Sequence, residues 1–149
     1  MKINKVINRE GLRFKDVKKG VEITPLVKGP ITRSQIDRYA NASGDFNPIH
    51  IDKEFAKKVG LGCIIAHGML SMAFTAQMIM DWLGINGTIK KLKVRFTSMV
   101  RPGDTLTFNG KVIEKYRRKG EKYIVCEILC NNQMGEKTLT GETECVLAE

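Results

Sequence analysis

An α+β architecture, one long apolar helix enclosed by a curved antiparallel sheet, is the fold that the sequence predicts. Three observations carry that prediction. Between Gly68 and Gly84 lie fifteen residues that are nearly all apolar, among them Met69, Leu70, Met72, Phe74, Met78, Ile79, Met80, Trp82 and Leu83. Apolar side chains occupy almost every face of this segment, so the helix is expected to be buried on several sides. From residue 92 the period changes to two: Leu92, Val94 and Phe96 alternate with Lys93, Arg95 and Thr97, as in a half-buried strand. Turn clusters at "RPGD", "RRKG" and "NQMG" then divide the second half into a meander of at least four antiparallel strands.

The remaining elements follow in chain order. Residues 14–29 alternate weakly and contain Gly20, Pro25 and Gly29, which predicts a short strand or extended lead-in. Thr32 with Gln35 three positions later matches a capping box, and Ile36, Tyr39 and Ala40 follow at helical spacing. A helix over about 33–42, ending near Gly44, is expected. Asp52 is placed to cap a short helix across "KEFAKKV", closed by Gly60. Gly110 and Gly141 fall inside strand patterns and mark expected bulges or bends.

Length and composition narrow the class. With 149 residues and no repeat or linker, residues 1–149 read as one domain. No stretch approaches the roughly 20 continuous apolar residues of a membrane span, and the N-terminus lacks the apolar core of a secretory signal. Cys63, Cys126, Cys130 and Cys145 form no metal-ligand spacing and read as free thiols, which suits a reducing, cytoplasmic compartment. The net charge of +9 is spread in doublets such as Lys18-Lys19 and Arg117-Arg118 with acids between them, so a solvated surface is expected rather than a nucleic-acid interface.

Chemistry concentrates at residues 43–50, "SGDFNPIH", which hold one of the chain's 2 histidines. Gly44 loosens the backbone before Asp45, and Pro48 biases Asn47 toward an extended conformation. Asp45 and His50 are therefore able to face one pocket from either side of a turn, where a carboxylate and an imidazole take one proton and deliver another. Read in isolation, the segment is first of all a turn that happens to contain a histidine. A metal site from Asp45, His50 and Asp52 is a minor reading, and Ser43 lacks the elbow pattern of a nucleophile.

The segment from Tyr39 to Leu70, "YANASGDFNPIHIDKEFAKKVGLGCIIAHGML", resembles the signature of the MaoC-like dehydratases, the (R)-specific enoyl-CoA hydratases and related 3-hydroxyacyl-thioester dehydratases. The resemblance extends through "VRFTSMVRPGDTLTFNGKV" (94–112) and, with "VKKG" and "ITRSQI", covers most of the chain. It implies a hot-dog fold, normally a homodimer and in some relatives a heteromer with a sister subunit. It implies that Asp45 and His50 are catalytic, that the Gly68 backbone N–H is the oxyanion donor, and that Asn47 supports the pair. It implies an acyl-CoA or acyl carrier protein thioester as substrate, with no redox cofactor and no metal. His67 is expected to hydrogen-bond at the helix start. Met69, Met72 and Met80 line an acyl tunnel or pack as core, and Ser71 and Thr75 are candidate hydroxyls near the site. A hot-dog thioesterase, whose carboxylate would have to be Asp81, and a non-catalytic acyl-thioester binder are the rival readings.

Overall fold

A computed structural model describes residues 11–148. A 3-10 turn at Phe14–Asp16 leads into β1 (Glu22–Lys28). Three helices follow, α1 (Arg33–Ser43), α2 (Pro48–Ile51) and α3 (Lys53–Lys58). The long helix α4 (Gly68–Leu83) comes next, then β2 (Gly87–Phe96), β3 (Leu106–Arg118), β4 (Glu121–Asn131) and β5 (Lys137–Leu147). Local signals account for the boundaries. Thr32 Oγ1 accepts the Gln35 N–H at 3.1 Å, and α1 stops where Gly44 turns left-handed at φ 74°. Asp52 Oδ1 accepts the N–H groups of Glu54 and Phe55 at 2.9 and 3.0 Å, starting α3. Gly84 ends α4 at φ 65°, a conformation costly for a residue with a Cβ.

The five strands form one antiparallel sheet in the order β1-β3-β4-β5-β2. This corrects the simple meander. β3, β4 and β5 do run as consecutive hairpins, but β2 pairs with β5 at the far edge and β1 pairs with β3 at the other. The "RPGD" turn therefore does not close a hairpin. It sits within residues 97–105, which carry the chain from one edge strand back across the sheet end. Its Asp104 takes the Arg101 N–H on Oδ2 at 2.8 Å, and its carbonyl takes the Ile31 N–H at 2.8 Å.

β2 begins at Gly87, five residues before the alternation starts, because a register shift between Ile89 and Lys91 interrupts the period of two. A second shift lies between Val112 and Glu114 in β3. Gly110 flanks a further shift, where β1 bulges between Ile23 and Leu26 opposite Gly110 and Phe108, as expected; Gly141 pairs in regular register on both sides. Both are close-approach positions. A Cβ at Gly110 would lie 2.6 Å from Ile23 Cδ1, and one at Gly141 would strike the Lys93 carbonyl on β2.

The core lies between the sheet's inner face and α4, which touches β1, β2 and β3. Leu70, Phe74, Met78, Ile79 and Leu83 point into it, with Phe108, Leu106, Ile124 and Leu139 opposite. Cys126, Cys130 and Cys145 share that face as free, buried thiols, and Cys63 is a half-buried free thiol on the loop before α4. The sheet wraps α4 as expected, touching it from both edge strands, and the buried residues Leu70, Ser71, Phe74, Thr75, Met78, Ile79 and Leu83 spread over more than one face of the helix. A strip that includes Met69 and Met80, 54% and 42% exposed, is left open. Among the described residues, no helix is long and apolar enough to cross a membrane.

Candidate active site

The segment 43–50 becomes two helix ends joined by a short turn. Asn47 Oδ1 caps α2 by accepting the Ile49 N–H at 3.2 Å, and Pro48 takes the first helical position. That single turn of helix swings His50 inward, where it is 7% exposed. Asp45 stays at the rim, its side chain 52% exposed.

Every polar group of Asp45 except one oxygen is tied down. Its N–H donates to Ser43 Oγ at 3.2 Å, its Oδ1 accepts the Asn47 N–H at 3.2 Å, and its carbonyl faces His67 Nε2 at 3.0 Å. Oδ2 is left, 3.9 Å from His50 Nε2. His50 is held in the same manner. Its backbone N–H donates to the Asn47 carbonyl at 3.0 Å, and Nδ1 lies 2.7 Å from the Ile65 carbonyl. A carbonyl oxygen can only accept, so we assign the proton of a neutral His50 to Nδ1 and the lone pair to Nε2. Two acceptors 3.9 Å apart are too distant for a direct hydrogen bond and well spaced to receive both protons of one water molecule.

Beside them is a cleft of about 310 Å³ whose walls include His50, His67, Gly68, Ser71, Phe96 and Met99. Gly68 opens α4, so its N–H has no acceptor within the helix and lies at the positive end of the helix dipole. The absent Cβ has a definite neighbour: a Cβ at Gly68 would lie 2.8–2.9 Å from the Phe96 ring. Glycine at 68 therefore lets that ring close one wall of the cleft, a role that alternation along β2 did not reveal. Ser71 lines the cleft. Thr75 instead donates to the Ser71 carbonyl at 3.0 Å and is a backbone-bound core residue.

Other sequence expectations land elsewhere. Met69, Met72 and Met80 do not line this cleft; Met69 and Met80 are exposed, and Met72 is half-buried. Asp52 is occupied as a helix cap and does not join Asp45 and His50. The residues that do place one ligand-type atom each within 4.8 Å of one another are Asp45, His50 and His67. Asp81 lies thirteen residues beyond Gly68, about 20 Å along the helix, and is no part of the cleft. His67 stands at the start of α4 and its ring hydrogen-bonds, as expected, but the bond does not cap the helix. The ring reaches back to Asp45 and stacks on His50 instead.

Comparison with known proteins bears on the fold and the family. The chain is 30% identical over 123 residues to the beta subunit of fatty acid synthase of Saccharomyces cerevisiae, covering 76% of this chain and 5% of that one. Over 64 residues it is 45% identical to the peroxisomal hydratase-dehydrogenase-epimerase of the same yeast, covering 43% of this chain and 7% of that one. It thus spans less than a tenth of the length of these relatives. An R-hydratase of Pseudomonas aeruginosa superposes with a TM-score of 0.84 at 27% identity, over 93% of this chain and 87% of that one. An (R)-hydratase of A. caviae shares the fold, with a TM-score of 0.80 at 24% identity, over 90% and 99% of the two chains. Residues 17–131 match the family described as the MaoC like domain, and the chain belongs to that hot-dog family.

Proposed function

We propose that this chain hydrates trans-2-enoyl thioesters to (R)-3-hydroxyacyl thioesters, and catalyses the reverse dehydration. The observation that carries the reading is the pair of acceptors, Asp45 Oδ2 and His50 Nε2, 3.9 Å apart beside a cleft that opens on the first turn of a helix. The names of the similar proteins, hydratases and fatty acid synthase subunits, support it.

In this reading one water donates a hydrogen bond to each of Asp45 and His50. Its oxygen attacks C3 of the enoyl thioester while one of its protons is taken up by the pair. Electron density moves onto the thioester carbonyl oxygen, where the Gly68 N–H and the dipole of α4 receive the developing charge. A proton held by the pair is then delivered to C2, so water is consumed and no proton is gained or lost. Asn47 keeps the carboxylate oriented through its N–H. The acyl carrier is CoA or acyl carrier protein, both anionic and matched to a chain of net charge +9. The working unit is a homodimer, with a heteromeric pairing to a sister subunit as the variant. The apolar groups left open near the site, Phe46, Met69, Phe96 and Met99, are what a partner surface would cover.

Loss of enoyl absorbance on adding crotonyl-CoA tests the reading, with chiral analysis of the product. Wild type is expected to turn over to the (R) product. Asp45→Asn and His50→Gln should each lower kcat about 10²–10⁴-fold at unchanged melting temperature. If both folded variants retain the wild-type rate, the assignment is wrong. Release of free CoA thiol would identify a thioesterase. Binding without turnover would identify a non-catalytic subunit.

A further inference from the structure

His67 touches every part of the site that the proposed hydratase chemistry uses, yet that chemistry gives it no step. Its ring is 2% exposed. It stacks on the His50 ring with centroids 3.8 Å apart and planes 25° from parallel. Its Nε2 lies 3.0 Å from the Asp45 carbonyl, and its own residue immediately precedes Gly68. Tyr39 packs on it at a centroid distance of 4.8 Å.

The hydrogen-bonding state of this ring argues against simple filling. The Asp45 carbonyl accepts, so the proton sits on Nε2. The other nitrogen, Nδ1, is buried with no partner among the described residues. A buried acceptor without a donor is a cost, and such exceptions in folded proteins call for a reason. A phenylalanine would fill the same volume and stack on His50 without leaving a buried lone pair. What phenylalanine lacks is the Nε2–H, and that group acts on the backbone of Asp45, 22 residues away in the sequence.

We propose that His67 is the positioning residue that couples Asp45 to His50. The ring fixes the plane of His50, and with it the direction of the Nε2 lone pair. The N–H fixes the Asp45 backbone, and with it the direction of Oδ2. One side chain thereby sets the 3.9 Å gap between the two groups that handle water. The proposal rests on the hydratase reading for its kinetic consequence and on geometry alone for its structural one.

Two variants separate these parts. His67→Phe keeps a stacked ring and removes the N–H. His67→Gln keeps an N–H at nearly the same reach and removes the ring. With displacement of catalytic groups by about 1 Å costing on the order of 10²-fold, His67→Phe is expected to lower kcat about 10–100-fold. KM should stay within about twofold, because the thioester's own contacts are untouched. His67→Gln should recover part of that loss, since the Asp45 tie is retained. A folded His67→Phe with wild-type kcat overturns the proposal, as does a His67→Gln no more active than His67→Phe.

Nitrogen-15 spectra of the histidines provide a readout independent of turnover. Wild-type His50 should appear as the Nδ1–H tautomer and His67 as the Nε2–H tautomer, and His67→Phe should shift the Asp45 amide and the His50 ring signals together. If no enoyl thioester is hydrated by wild type, the functional reading fails while this test still stands. Unchanged Asp45 and His50 signals in His67→Phe would then overturn the positioning role by itself.

Discussion

The two ends of α4 are made from the same helix and behave as different materials. At the C-terminal end Met78, Ile79 and Leu83 are at most 1% exposed and meet apolar side chains. At the N-terminal end His67, Gly68 and Ser71 face a cleft, with an unpartnered imidazole nitrogen nearby and an exposed carboxylate at the rim. One end contributes dispersion and hydrophobic burial, which have no direction. The other contributes oriented donors and acceptors, which do little for stability. A helix anchored in the core at one end holds its first turn steady where charge has to be received.

Substitutions that act on one end and spare the other test this contrast. Leu83→Ala should have the largest effect on stability, a loss of about 3 kcal/mol in denaturant unfolding, since the surrounding core cannot fully collapse into the space left. The kcat of its folded fraction should stay within about twofold of wild type. A large fall in kcat at full folding would show that the two ends are not separable.

Gly68→Ala comes next. The new methyl group would lie 2.8–2.9 Å from the Phe96 ring, so an overpacking cost of about 1–3 kcal/mol is expected, together with a fall in kcat as the wall shifts. Phe96 is 46% exposed and able to move outward, which places the cost at the low end. Adding Phe96→Ala should remove the stability part of the penalty. If Gly68→Ala is no less stable than wild type, the ring contact is not tight.

The smallest effect concerns the thiols of the apolar half. Burial pushes Cys126 up to about 12 and Cys130 and Cys145 up to about 11, against an ordinary thiol value of 9.0. Between those values the folded chain keeps protons that the unfolded chain has released, so stability should fall as pH rises above about 9 and be flat in this respect below it. At pH 8, Cys63 should alkylate first, with the other three reacting on unfolding. Comparable rates for all four would show that the inner face is open.

Much of this contrast was already legible in the chain. The apolar run 69–83, the caps at Thr32 and Asp52, and the strand periodicity after residue 92 depend on neighbours in sequence, and local rules read neighbours well. Asp45, Asn47, His50 and Gly68 were grouped through the resemblance of the Tyr39–Leu70 segment to a known family, since local rules alone left the Asp45–His50 turn ambiguous. What escaped was non-local. The pairing of β2 with β5 rather than β3 is decided by which edge of a curved sheet remains free. The exposed face of α4 is decided by how far five strands reach around a helix.

The sequence by itself determined the elements, their order and the residue types placed near one turn. Tertiary structure alone decided their use. It put His67 against His50 and under Asp45 across 17 and 22 positions, and it set Phe96 over Gly68. It also moved Thr75 from candidate hydroxyl to backbone partner. Each of these depends on distances between segments that helix and strand periodicity leave undefined. Hydrogen bonds and ring contacts fall away within a fraction of an ångström, so chemistry at the site is settled by packing that brings those segments into register.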